Sequence, residues 1–463
     1  MINPAYQPPE LLHSLNKVQV NALVLGSDSY YDKVKQLIPD LGSYTDYAIR
    51  CAHAPSLKLL ILISERKLRG VLRLQDVLSK STPESLDRVR QVQQRIQPDD
   101  GCVILFTSGT TGHPKGALLS HHNIVNNALS IGRRLLLFSQ PHRWCLCTNF
   151  CHASATSVSL VTCLCYGAAL VIPDSLFQAK AILQTVQKER CTMMVASPSL
   201  YVDMLDAMRD HSLKPDSLII AAIGSAPVPQ QLVHDIVESF AVQRIYAMYG
   251  MTETSPLIFQ SLASDAVQQA AATVGVVTDH MEAKVVDPEG RMVPMGTPGE
   301  LWVRGYAIML GYWGEEEKTK GIITPDGWLK TGDQFVLQEG GYGRVVGRLK
   351  DIIIRDNTNI FPIEIEEFFI THPDVMEAQA FGVPDPRLGE EMCVCIRQRA
   401  CTALSEQQLR EFCRGKLADF KTPRYFSFLP EFPRTATGKV DKLWLKKSVM
   451  QELDVSGQYL AMQ

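Results

Sequence analysis

Several things are scarce in this chain. Net charge is one: 46 Lys and Arg stand against 49 Asp and Glu, a balance of −3. So even a balance gives no basis for nucleic acid or a strongly anionic membrane as partner. Long apolar runs are another. Trp144 to Pro173 carries no formal charge, yet Thr148, Asn149, His152, Ser154, Thr156, Ser157 and Ser159 interrupt it. The better run, Val158 to Ile172, is shorter than the ~20 residues a spanning helix needs, so it predicts a buried helix followed by a core strand. No transmembrane segment is expected. The opening MINPAYQPPE lacks the charged and apolar regions of a signal peptide and the Arg-rich helix of a transit peptide. Internal repeats and low-complexity tracts are absent.

Cysteine is not scarce but it is unframed. The twelve residues are scattered, as expected of reduced intracellular thiols. Cys145, Cys147, Cys151 and His152 do not follow a usual zinc spacing, so they read as structural.

What is present is a globular balance, 46% apolar and 21% charged over 463 residues. That length allows more than one domain. Short apolar runs recur at 20–26, 57–63, 102–106, 168–172, 192–197, 218–224 and 244–249. Amphipathic segments of helical length lie at 177–190, 199–210 and 228–240. Alternation of this kind predicts an α/β fold whose parallel sheet is covered on both faces. From about 273 to 346 the strands shorten and turns multiply (DPEGR, MGTPGE, TPDGW, QEGGYG), which predicts a smaller β-rich, barrel-like subdomain. Beyond Gly347 a compact α+β unit follows, with helices opening at Pro362 and after Ser405. The expected division is therefore 1–346 and a small mobile domain at 347–463.

The segment Thr107-Ser108-Gly109-Thr110-Thr111-Gly112-His113-Pro114-Lys115-Gly116 is the most informative. A buried strand leads into it, and Ser120 caps the helix expected after it. Glycines let backbone N–H groups approach phosphate oxygens, hydroxyls add donors, and Lys115 supplies a charge. The plain alternative is a solvated Ser/Thr/Gly loop, but such a loop needs neither this density of hydroxyls nor the lysine. It is not a Walker A loop, because Gly-Lys-Ser/Thr is missing. Other segments stand out in order: Gly224-Ser225-Ala226-Pro227, Tyr249-Gly250-Met251-Thr252-Glu253, Thr331-Gly332-Asp333, Gly347-Arg348-Leu349-Lys350-Asp351 and Pro433-Arg434-Thr435-Ala436-Thr437-Gly438-Lys439. Together they resemble the signatures of the adenylate-forming superfamily, which includes the acyl-CoA synthetases, over essentially the whole chain.

The resemblance implies ATP-dependent activation of a carboxylic acid, expected to be a medium-chain fatty acid, followed by transfer to coenzyme A. Two anions must meet in the first step, so cations and donors must offset the developing charge. Lys439 is implied to bridge carboxylate and α-phosphate. Glu253 is a hard oxygen ligand suited to Mg²⁺, and Thr252 a donor to the adenylate phosphate. Asp333 is implied to accept the ribose hydroxyls, Arg348 to contact ribose and phosphate, and Lys350 to mark a hinge. The acyl side is expected near His152, Gly224, Ser225, Ala226, Pro227, Tyr249, Gly250 and Met251. A mitochondrial location is implied by resemblance alone.

Two departures matter. INPAYQ normally lies well inside the family's N-terminal domain, so a shortened first subdomain with uncovered sheet edges and apolar faces is expected. A non-catalytic or adenylation-only homologue is the competing reading. Second, Asp356-Asn357 replaces a Gly-Gly pair near the pantetheine path, which predicts a weaker thioester step.

Overall fold

The computed structural model describes residues 1–44, 47–107, 114–173, 178–209, 213–356, 358–385, 387–399, 402–435 and 439–452. The fold is α/β as the alternation predicts. At its centre is a seven-stranded sheet, in which strands Ile220–Gly224, Met193–Ala196, Arg143–Cys145 and Arg244–Gly250 run parallel. Leu257–Gln260 adds antiparallel beside Arg244–Gly250, and Val276–Val277 forms that edge. The core between this sheet and its helices is apolar: Ile182, Val186, Tyr201, Met204, Ile236 and Phe240 pack over Met194, Ala221 and Ile223. Helices Ala179–Glu189, Pro198–Ala207 and Gln230–Phe240 bury their apolar stripes there, at the positions the periodicity predicts. The opposite sheet face, with Trp144 and Met193, packs on Ile131, Leu135 and Val158.

Three expectations are corrected. The helix predicted within 158–172 runs Ser154–Tyr166, but the strand after it, Ala169–Val171, lies at the edge of the sheet rather than in the core. Leu164 and Ile172 are accordingly exposed. The β-rich region forms an open four-stranded antiparallel sheet, from Met281–Val286 to Gly343–Arg348, rather than a barrel. The phosphate-type loop does not join a strand to a helix. It joins the antiparallel strands Gly101–Thr107 and Lys115–Ser120, and only then does the helix His121–Arg134 begin. Ser120 caps it as expected, its Oγ accepting from the Asn123 N–H at 3.1 Å.

Residues 22–73 carry a small three-stranded sheet with its own core around Leu41, Leu57, Leu60 and Leu62. Val24 and Ile63 stand exposed on it, and the helix Pro83–Gln93 buries none of its residues. Beyond residue 352 a five-stranded sheet has separate cores around Phe369 and Val394 on one side and Val383 and Leu445 on the other. Helices begin at Pro362 and, capped by Ser405, at Glu406. Strands Ile353–Arg355 and Thr358–Ile360 pair tightly. The turn between them holds Asp356 at φ 48°, the left-handed region Asp tolerates. The replacement of glycine there keeps the turn. Asn357 lies outside the described residues.

Candidate active site

The site forms where strand ends of the central sheet meet the four-stranded sheet and the smaller unit. Ligands in open α/β folds bind at such carboxyl ends. Strand Ile220–Gly224 ends in the exposed turn Ser225, Ala226 and Pro227, with Ser225 at φ 72°. The next strand ends at Gly250, whose backbone presses against Pro256 so closely that a Cβ would sit 1.8 Å from the Pro256 oxygen. Only glycine permits that approach. It aims Met251, Thr252 and Glu253 out of the sheet in a short 3₁₀ turn.

Glu253 is 6% exposed, and its Oε1 accepts from the Tyr312 hydroxyl at 2.6 Å. The Lys115 Nζ lies 4.9 Å above the same Tyr312 ring. Tyr312 reaches both because Gly311–Tyr312 pairs with the strand Lys115–Ser120, and the Trp313 N–H donates to the Gly116 carbonyl at 2.8 Å. Thr107 pairs with Lys115 at the base of the loop. Ser108, Gly109, Thr110, Thr111 and Gly112 lie outside the described residues.

Asp333 is buried where Leu329–Leu337 pairs with Gly343–Arg348. Its Oδ1 meets the Arg348 Nε at 2.9 Å, and its Oδ2 accepts from the Tyr249 hydroxyl at 2.7 Å. Tyr249 is thereby turned toward Asp333, not toward the Gly224–Pro227 turn with which the sequence grouped it. Burial and the adjacent Asp333 carboxylate hold the Tyr249 phenol well above its ordinary pKa, so it stays a donor.

Lys439 comes from the smaller unit on a tight hairpin. Arg434 bridges Val440, and the Thr435 N–H donates to the Lys439 carbonyl at 2.7 Å. Its ammonium feels Arg348, Asp333 and Glu253 at once. Burial, then Arg348, push its pKa below the usual lysine range, while the two carboxylates oppose them. The charge of the same ammonium reaches His152. Burial first and Lys439 second push its pKa down to about 4. Its Nδ1 lies 2.6 Å from the Ser154 hydroxyl and 3.1 Å from the Ser154 N–H, contacts that fix the ring orientation. The Cys145 and Cys147 thiols are buried in the core and take no part. Lys350 sits in the short turn Leu349–Asp351 that leads into the smaller unit.

Glu253, Asp333, Arg348, Lys439 and His152 thus converge, although Glu253 and Lys439 lie 186 residues apart in the sequence. Sequence reading missed Tyr312. Its only signal was the stretch MLGYWGE, and nothing local reveals a hydrogen bond to a partner 59 residues away.

Two units around one convergence of cations, carboxylates and glycine-tight strand ends define a nucleotide-handling enzyme. The chain belongs to the AMP-binding enzyme family: that family's model matches residues 1–313, and the model of the AMP-binding enzyme C-terminal domain matches 364–439. It is 38% identical to the mitochondrial medium-chain acyl-CoA ligase ACSF2 of Danio rerio, covering 98% of this chain and 75% of that one. It is also similar to ATP-bound MatB from Rhodopseudomonas palustris, with a TM-score of 0.80 and 26% identity over 96% of this chain and 82% of that one. Apo MatB superposes less well, at 0.67 with 25% identity over 98% of this chain and 83% of that one. Among the described residues, no helix is long and apolar enough to cross a membrane.

Proposed function

We propose that this enzyme is an ATP-dependent acyl-CoA ligase acting on medium-chain fatty acids, in mitochondria like its named relative. The convergence of Lys439 with Glu253, Asp333 and Arg348 carries the reading. In the first half-reaction a carboxylate oxygen attacks the α-phosphorus and pyrophosphate leaves, giving acyl-adenylate. Lys439 lies between the two anions and offsets the charge that develops. Asp333 and Arg348 receive the ribose, with Tyr249 fixing the Asp333 carboxylate. Thr107, Lys115 and the loop Ser108–Gly112 hold the phosphates, and Thr252 donates to the adenylate. In the second half-reaction the CoA sulfur attacks the acyl carbon and AMP leaves.

Glu253 is the residue that would hold Mg²⁺. A single hard carboxylate fits an ion that otherwise keeps water and substrate phosphates as ligands. Among the described residues no cluster of three metal-binding side chains competes for that role. Bound there, the ion would neutralise phosphate charge. His152, kept neutral, and the turn Gly224–Pro227 with Gly250 and Met251 form the acyl side. The domain division at residue 347, with Lys350 as hinge, is the matching proposal for how Lys439 enters and leaves. The convergence of these charged groups argues against a non-catalytic homologue.

The test is direct. Purified protein with ATP, Mg²⁺ and hexanoic to dodecanoic acids should release AMP when CoA is present. Absence of both AMP and pyrophosphate exchange across that series would sink the reading. Lys439→Ala should abolish pyrophosphate exchange while ATP still binds.

A further inference from the structure

Lys439 reaches the site only while the smaller unit sits as it does here, so the contacts that hold it there matter. One network crosses between the units. Asp203 projects from the helix Pro198–Ala207 of the larger unit, its Oδ1 3.4 Å from the Arg397 Nη1 and its Oδ2 3.9 Å from the Arg434 Nη2. Within the smaller unit, Glu377 already joins both arginines, at 2.7 Å to Arg397 and 3.1 Å to Arg434. Two guanidinium groups on one carboxylate leave that cluster with an uncompensated positive charge. Asp203 supplies the balancing charge from the other unit. The cluster is partly shielded, with Glu377 at 11%, Arg397 at 17%, Arg434 at 25% and Asp203 at 35% side-chain exposure, so screening by solvent is reduced but not removed. Arg434 also forms the base of the hairpin that presents Lys439, through its bridge to Val440.

We propose that Asp203 is a positioning residue that holds the Lys439 hairpin in the site through Arg434 and Arg397. It touches no substrate and acts only in the orientation that serves adenylation. When the units part, Glu377 still pairs with both arginines and water reaches their freed edges, so the excess charge is hydrated and not stranded. The inference rests on the ligase reading for its kinetic consequence, but not for its structural one.

The experiment uses the full chain with Asp203→Asn and Asp203→Glu. Pyrophosphate exchange with octanoic acid measures the first half-reaction. Thioester formation from supplied octanoyl-adenylate and CoA measures the second. In Asp203→Asn, exchange should fall roughly three- to tenfold, the scale of one partly shielded charge pair. The thioester step should be unchanged or faster, and Asp203→Glu should recover most of the exchange. Equal loss in both steps, or no loss, overturns the proposal. Acetic anhydride modification of Lys439, quantified by mass spectrometry against the exposed Lys320, gives a readout free of turnover. Lys439 should react several-fold faster in Asp203→Asn, and an unchanged ratio also overturns the proposal. Wild-type protein without pyrophosphate exchange would defeat the ligase reading, and lysine protection would still decide the role of Asp203.

Discussion

The Tyr312 hydroxyl sits between two charged groups that the chemistry needs apart yet ordered. It donates to Glu253 while its ring carries the Lys115 ammonium. Tyr312→Phe keeps the ring and removes one hydrogen bond to a carboxylate, so pyrophosphate exchange should fall roughly tenfold. The Mg²⁺ concentration giving half-maximal exchange should rise; if it does not move, Tyr312 is only packing. His152 sets the second expectation at this scale. Its folded pKa of about 4 lies below the ordinary 6.5, so the folded protein resists its protonation. The stabilisation is fully present above pH 6.5 and is lost as pH falls through about 4, the loss then reaching roughly 3 kcal/mol. His152→Gln should therefore show a shallower fall in Tm between pH 7 and 4.5 than wild type. Parallel curves would show that His152 does not contribute to the acid limb.

At the level of strands and turns, glycine placement decides more than hydrophobic pattern does. Gly250→Ala puts a methyl group 1.8 Å from a backbone oxygen, so the strand must shift, at a cost of about 2–4 kcal/mol. A Tm equal to wild type would show that the strand end yields freely. Asp356 makes the converse case, since its left-handed turn is one glycine would also adopt. Asp356→Gly should leave Tm nearly unchanged and raise thioester formation relative to pyrophosphate exchange, if side-chain bulk slows the pantetheine arm. These features differ in how visible they are in sequence. The strands around Ile223 and Met194 announce themselves as apolar runs, since parallel sheets bury both faces. The strand Lys115–Ser120 (KGALLS) has no β-branched residue, so the hairpin around the phosphate-type loop was illegible. The edge position of Ala169–Val171 depends on strand order, which periodicity does not encode. Glu253, Asp333, Arg348 and Lys439 were legible as motif positions. Tyr312 and Asp203 were not, and Arg434 stood in a motif without its link to Asp203, because these partners lie far along the chain and leave no local trace.

Across the whole molecule, two separately cored units share one site through side chains rather than a common core. A non-hydrolysable acyl-sulfamoyl adenosine should bind only the folded, assembled site and raise Tm with concentration, by about 2.7 kcal/mol of stability at 100 times its Kd. The same shift should survive in Lys439→Ala if that lysine serves the reaction more than the binding. No shift in either protein would count against an adenylate pocket. The hairpin that delivers Lys439 belongs to the smaller unit, while Gly224–Pro227, Gly250 and His152 belong to the larger. On the proposed assignment of the acyl side, rate and choice are written in different stretches of the gene. Grafting the last quarter of a relative onto this chain should reset how fast acids are activated and leave their ranking by chain length intact. Evolution can then tune tempo and diet independently, one half at a time.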